Sequence, residues 1–425
     1  MNRVLNNFFT IAKVARCSYK TKKMQDFLVN FAKELNYKHL VDNNGNILIF
    51  KEKPKISLQA HYDMVCVGDA PNIELIKEGN ILRAKNSTLG ADNGIAIAIM
   101  MALMQDGVDA EFLFTNDEEV GLIGAKNLEL LITSKYLLNL DSEDEAEVYI
   151  GCAGGADIVA NFKDELVEVS GDIYELSLLN LPGGHSGVDI DKNIPSAIKL
   201  LSNYLKENKI EALISIEAGE RRNSIPANAK AIVVSKDRLI SNGDVKVKEL
   251  NINKKAFKSS KVILDLIDTL PHGVISYNKE FNVPQTSVNL AQINSKDGQI
   301  EFIVTPRAMS DDSLDMIVNE ISDIFKKSNF NIKIEDKYPA WKPEINDFTK
   351  LVEKEIKKLF GKSSQKVIHA GLECGVLSKK LKDVKFASIG PNIRYPHSKR
   401  EYVELDSVDK TYKVVKEIIK AVNSF

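Results

Sequence analysis

The segment DNGIAIAIMMALMQ, residues 92–105, is apolar on nearly every face. It is shorter than the roughly 20 apolar residues that cross a bilayer, so it reads as a helix enclosed by protein on all sides. Such a helix needs a layer of structure on each flank. KISLQA (55–60), AEFLFT (110–115) and YLLNL (136–140) are short, continuous apolar runs, the pattern of strands buried on both faces. DNNGNILIF (42–50) is a turn followed by a strand. TKKMQDFLVNFAKEL (21–35) places Met24, Phe27, Leu28, Phe31 and Leu35 on one helical face. Strands alternating with helices predict an α/β sheet covered on both sides.

The texture changes at GCAGGAD (151–157), which reads as a Gly-rich break. Beyond it, YELSLLNL, AKAIVVS, QTSVNLAQI and GQIEFIVT are strand-like, while IPSAIKLLSNYLKE and SLDMIVNEISDIFKK are amphipathic helices. EDKYPAWKPEIN (335–346), with two prolines and the sole Trp, reads as the crossing back. A closing helix–strand–helix segment follows. A chain of 425 residues fits two domains. The expected layout is a first domain made of 1–155 and 337–425, a mixed sheet between helices, interrupted by a smaller α+β domain at 156–336.

Net charge is −2, and the lysines are interleaved with acids, so nothing global favours nucleic acid or an anionic membrane. The four cysteines form no CxxC pair and no disulfide framework, and are read as free thiols in a reducing compartment. The first residues lack the apolar core of a secretory signal. A cytoplasmic protein is the expectation.

The chemistry lies where strands end. In AHYDM, His61 and Asp63 are two apart, and on an extended chain they leave the same face. Asp92 opens the buried helix, Asp117, Glu118 and Glu119 follow the 110–115 strand, and Asp141 follows the 136–140 strand. In open α/β sheets, ligands bind at the carboxyl ends of the strands. So many acids on one edge repel one another unless a cation neutralises them. Imidazole mixed with carboxylate suits Zn²⁺ or another divalent transition ion. Two ions sharing one carboxylate need about five ligands and leave room for a bridging hydroxide, with a further acid to take the proton of that water.

The series QAHYDMV, LGADNG, NDEEVGLIGA and NLDSED resembles the M20 metallopeptidases. GCAGG, LPGGHSGVDI, IHAGLECG and GPNIRYPHS resemble more closely the aminoacyl-histidine dipeptidase branch, the carnosinase-like Xaa-His dipeptidases. The likeness runs in order over almost the whole chain. It implies a two-domain, di-metal exopeptidase fold with an inserted lid domain, a pair of Zn²⁺ ions (or Co²⁺ or Mn²⁺), a small peptide substrate and a homodimer. It implies His61, Asp92, Glu119, Asp141 and His397 as metal ligands, with Asp92 bridging and Asp63 steadying His61. Glu118 would be the general base. His185 in GGHSGVD would polarise the scissile carbonyl, and Arg307 would bind the substrate carboxylate. Asn223 would lie near the substrate. His369 and Glu373 would lie near its free amino group. Related amidases of the family, acting on tripeptides or N-acyl amino acids, are the alternative within enzymes. A non-catalytic peptide or zinc binder is the alternative outside them.

Other signals carry less. FGKSS (360–364) lacks the first P-loop glycine, since that position is Ile356. GCAGG is not followed by a dinucleotide fingerprint. A cysteine nucleophile at Cys66 or Cys374 would leave the acids unexplained. Trp341 and Tyr338 read as packing. His39 and His272 have no constellation around them.

Overall fold

The computed structural model describes residues 2–52 and 54–424. The chain divides into two compact units. The first comprises Met1–Gly151, Trp341–Val367 and Leu372–Phe425, and the second Cys152–Ala340 with Ile368–Gly371.

The first unit is built on an eight-stranded mixed sheet. At its centre Glu111–Thr115, Ile56–His61, Tyr136–Asn139 and Lys385–Ser388 run parallel. Lys38–Val41, Ile47–Phe50 and Glu147–Cys152 pair antiparallel outside them. The Ile56–His61 strand is buried at every position, as a strand with both faces covered must be. The Ala91–Gln105 helix is buried all round. The Asn2–Ile11 helix, which no periodicity argument had singled out, packs against it. A four-stranded sheet joins Leu75–Glu78 and Ile81–Ala84 to Tyr402–Glu404 and Ile393–Arg394, so the loop carrying His397 is held by a hairpin distant in sequence.

The second unit is a nine-stranded antiparallel sheet around the long Val283–Lys296, Gln299–Ala308 and Gly154–Lys163 strands. The helices Ala197–Glu207, Ser260–Thr269 and Asp311–Lys327 bury Leu201, Ile263, Leu266, Ile321 and Phe325 in its core.

Two expectations change. GCAGGAD is strand rather than loop, parts of Glu147–Cys152 and Gly154–Lys163, although the two units do divide within it, between Gly151 and Cys152. Its glycines serve close approach: a Cβ on Gly151 would lie 2.6 Å from Pro343, and one on Gly155 2.6 Å from the Tyr338 hydroxyl. The cysteines are not all free. Cys17 and Cys66 form a disulfide, while Cys152 and Cys374 are buried thiols. Residue 17 makes a parallel bridge to Met64, with Ser18 N donating to Met64 O and Met64 N to Arg16 O. The two segments therefore run side by side, a pairing that no spacing in the sequence announces. Among the described residues no helix is long and apolar enough to cross a membrane.

Candidate metal centre

The carboxyl ends of the central parallel strands deliver the acids and one imidazole together. His61 ends its strand, and its Nε2 lies 3.1 Å from Asp92 Oδ1 and 3.3 Å from Asp141 Oδ1. His397, at left-handed φ in its loop, places Nε2 3.0 Å from Asp92 Oδ2 and 2.9 Å from Glu119 Oε2. The two Asp92 oxygens thus face different imidazoles. The Asp92–Asn93 peptide is cis. Ligand atoms of His61, Asp92 and Asp141 lie within 4.8 Å of one another, as do those of Asp92, Glu119 and His397 and those of His61, Glu118 and Glu119. Each group could hold a metal ion.

Asp63 has a second task. Its Oδ1 lies 3.3 Å from His61 Nδ1, where a carboxylate orients a ligating ring. Its oxygens also accept from the backbone amides of Glu118 (2.9 Å) and Glu119 (3.3 Å) and from the Ser18 hydroxyl (2.7 Å). One buried carboxylate therefore sets the ring on one side and the two-glutamate turn on the other.

The electrostatics are those of a site short of positive charge. Burial opposes the charge on His61, but Asp141, Asp63 and Asp92 outweigh it and hold the ring well above its usual range. His397 is raised likewise, burial being overridden by Glu119 and Asp92. Burial raises Glu118 well above the carboxylate range, with Glu119, Asp141 and Glu373 adding to it against the pull of His61. Glu119 and Asp141 are raised by burial and by Asp92. Asp92 goes the other way, because its bonds to His397 and His61 overcome burial. Among the described residues, the local compensation for these acids is the protons on the two imidazoles and the buried Arg16 guanidinium. A divalent cation does that work better, and the buried, unpartnered Glu119 Oε1 is a ready ligand atom.

Two acids were missed from the sequence. Glu143, just past Asp141, is pushed up to about 8 by burial and by Asp92. Glu401, four residues past His397, accepts from backbone amides 89–92. Glu373 is fully buried, its Oε2 accepting from Gln59 and Thr115 at 2.6 Å each, with Oε1 left unpartnered. Burial takes it to about 7.

The remaining expected residues gather in the second unit. His185 pairs with Ser224 in a two-residue ladder, and its Nδ1 accepts from the Gly187 and Val188 amides at 3.2 Å, which puts the proton of the neutral ring on Nε2. Asn223 gives its carbonyl to Ser186 N and exposes its side chain. Arg307 is buried, donates to the Tyr338 hydroxyl at 2.6 Å, and has an unpartnered Nε. His369 Nε2 lies 2.7 Å from Ser287 Oγ. His369 and Glu373, four apart in sequence, fall in different units. Trp341 packs edge-on against Phe386.

The comparisons with known proteins extend over the whole chain. It is 32% identical to the cytosol non-specific dipeptidase of Escherichia coli (strain K12), with 98% of this chain and 96% of that one aligned. The aminoacylhistidine dipeptidase of Vibrio alginolyticus superposes with a TM-score of 0.80 at 27% identity, over 99% of this chain and 96% of that one. A tripeptidase of Staphylococcus aureus shares the fold at a TM-score of 0.63 and 16% identity, over 100% and 99% of the two chains. Residues 57–421, from the strand that ends on His61 to the last helix, match Peptidase family M20/M25/M40. With acids and imidazoles meeting at the strand ends as a metallopeptidase requires, the chain belongs to that family.

Proposed function

We propose that this protein is a metal-dependent dipeptidase that hydrolyses the amide bond of short peptides, Xaa-His dipeptides of the carnosine type among them. The observation that carries the reading is the pair of three-residue groups sharing Asp92, with Glu118 beside them. His61, Asp92 and Asp141 would hold one divalent ion, and Asp92, Glu119 and His397 the other. Zinc suits this donor set, and Co²⁺ or Mn²⁺ would also fit. Such ions, when bound, polarise the scissile carbonyl and lower the pKa of water between them.

The chain's own residues supply the rest. His61 and His397 release their protons to become ligands. Glu118, a half-buried acid of raised basicity, takes the proton of the attacking water and returns it to the leaving amine. Glu373 offers its unpartnered Oε1 to the free amino group. His185, with the Nε2 proton, stabilises the oxyanion. Arg307, backed by Tyr338, takes the substrate carboxylate, with Asn223 and His369 nearby in function. In this reading the second unit acts as a lid and the protein works as a homodimer. The name of the Escherichia coli relative supports a cytoplasmic location. The Cys17–Cys66 bond is the feature a reducing compartment would remove.

The test is turnover of a panel of dipeptides, tripeptides and N-acyl amino acids, with metal analysis of the same sample. Dipeptide hydrolysis that a chelator abolishes and zinc restores is expected. Metal-loaded protein that cleaves no dipeptide overturns the reading.

A further inference from the structure

The backbone that carries Asp92 is held by one carboxylate from far along the chain. The Ala91–Gln105 helix starts after Gly90 at φ +68° and has no side-chain cap of its own. Its first amides therefore need an outside acceptor. Glu401 provides it. Oε2 accepts from Leu89 N (2.7 Å) and Gly90 N (3.0 Å), and Oε1 from Ala91 N (2.7 Å) and Asp92 N (3.3 Å). Glu401 is 2% exposed. Burial pushes it up to about 7 against the pull of these amides. With four N–H groups aimed at two oxygens, a proton on either would displace a donor, so the cradle holds the ionised form.

A buried anion needs a counter-charge. Arg16, 1% exposed, is the nearby cation, and Glu401 heads the charges acting to keep it protonated against burial. Its Nη1 donates to Asp63 O at 3.0 Å and its Nη2 to Gly90 O. A Cβ on Gly90 or on Gly94 would lie 2.5 Å from Nη2. Both glycines of LGADNG therefore leave room for this guanidinium. Arg16 ties the Asp63 segment to the Asp92 segment, and Glu401 ties the Asp92 segment to the His397 loop.

We infer that Glu401, with Arg16 as its buried partner, is a positioning residue for the ion held by Asp92, Glu119 and His397, fixing the Asp92 backbone relative to the His397 loop so that each Asp92 oxygen serves a different ion. The inference rests on the two-ion reading above. Both Glu401 oxygens are taken up by backbone amides, so it acts through Asp92 and not as a ligand.

Zinc titration against a competing chelator, on the full chain, tests it. In Glu401→Gln, the amide NH₂ can no longer accept from two of the four amides. One of two zinc sites should weaken about 10–100-fold, the usual cost of losing an outer partner of a metal ligand, and the other by less than about 3-fold. Glu401→Asp keeps both oxygens and the charge on a shorter stem. It guards against a Gln variant that does not fold, and should show a smaller loss at the same site. Arg16→Lys, which keeps charge but loses the fork, should weaken that site too. Wild type with two sites and folded variants with unchanged affinities, or with both sites weakened equally alongside a lower zinc-free Tm, overturn the inference alone. Wild type that binds no zinc overturns the two-ion reading and this inference together.

Discussion

His61 and His397 in the first unit sit among Asp92, Glu119 and Asp141, and both rings are held well above their usual range. His272 and His369 in the second unit are treated in the opposite way. Burial and the Lys199 charge take His272 down to about 4, and burial with Arg307 takes His369 to about 3. The same side chain is thus a proton holder in one unit and a neutral hydrogen-bonding group in the other. The surroundings differ in sign: crowded carboxylates call for a cation, whereas Arg307, Tyr338 and Ser186 offer donors to an anion.

The contrast can be broken at four points. The largest effect is expected at Glu118. Glu118→Gln should lower kcat by about 10²–10⁴-fold, the range for losing a general base, with zinc content unchanged. Near-normal turnover would remove Glu118 from that role. Next is the covalent tie that only the first unit carries. The Cys17–Cys66 bond spans 49 positions, and in the chain-entropy account a loop of that size is worth about 4 kcal/mol. Reduction, or Cys17→Ser with Cys66→Ser, should lower the stability of the first unit by that order in urea melts. Unchanged melting would show that the tie adds nothing.

Third is acid sensitivity in the second unit. His272 Nδ1 accepts from Leu290 N, so the folded state favours the neutral ring. The folded pKa of about 4 lies below the ordinary 6.5. As pH falls through 6.5 the unfolded chain gains a proton that the folded one refuses. Stability present above pH 6.5 is lost between 6.5 and 4, by about 3 kcal/mol at the lower end. His272→Asn should remove that part of the slope, and curves that stay parallel to wild type would refute it. The smallest effect is at Arg307. Arg307→Met should raise KM about 10–100-fold for peptides with a free carboxylate, the size of one lost charge-assisted hydrogen bond, and leave amide-capped peptides unaffected. Equal losses on both substrates would place the role of Arg307 elsewhere.

Much of the first unit could be read in advance because strand ends are visible as apolar runs stopping on polar residues. His61, Glu118, Glu119 and Asp141 follow such stops, Asp92 opens the apolar helix, and the structure gathers them with His397. What holds them was not readable. Arg16 and Glu401 act on backbone groups, which any sequence possesses, so no residue pattern records the pairing. Glycine misled at 151–155, where a missing Cβ permits close packing within strands as readily as it permits a turn. The disulfide depended on an isolated bridge between residues 17 and 64 that has no periodicity.

The first unit is interrupted in sequence, and that sets an order of events during translation. Asp92 and His397 are 305 positions apart. At roughly 5–20 residues per second, the ribosome takes about 15–60 s to go from one to the other. In that interval the second unit, nearly all of it one continuous stretch, emerges and can fold. The acids at the strand ends wait meanwhile without His397 and without Glu401. A nascent chain halted before residue 397 would carry a finished second unit beside a first unit whose charges have not yet been reconciled.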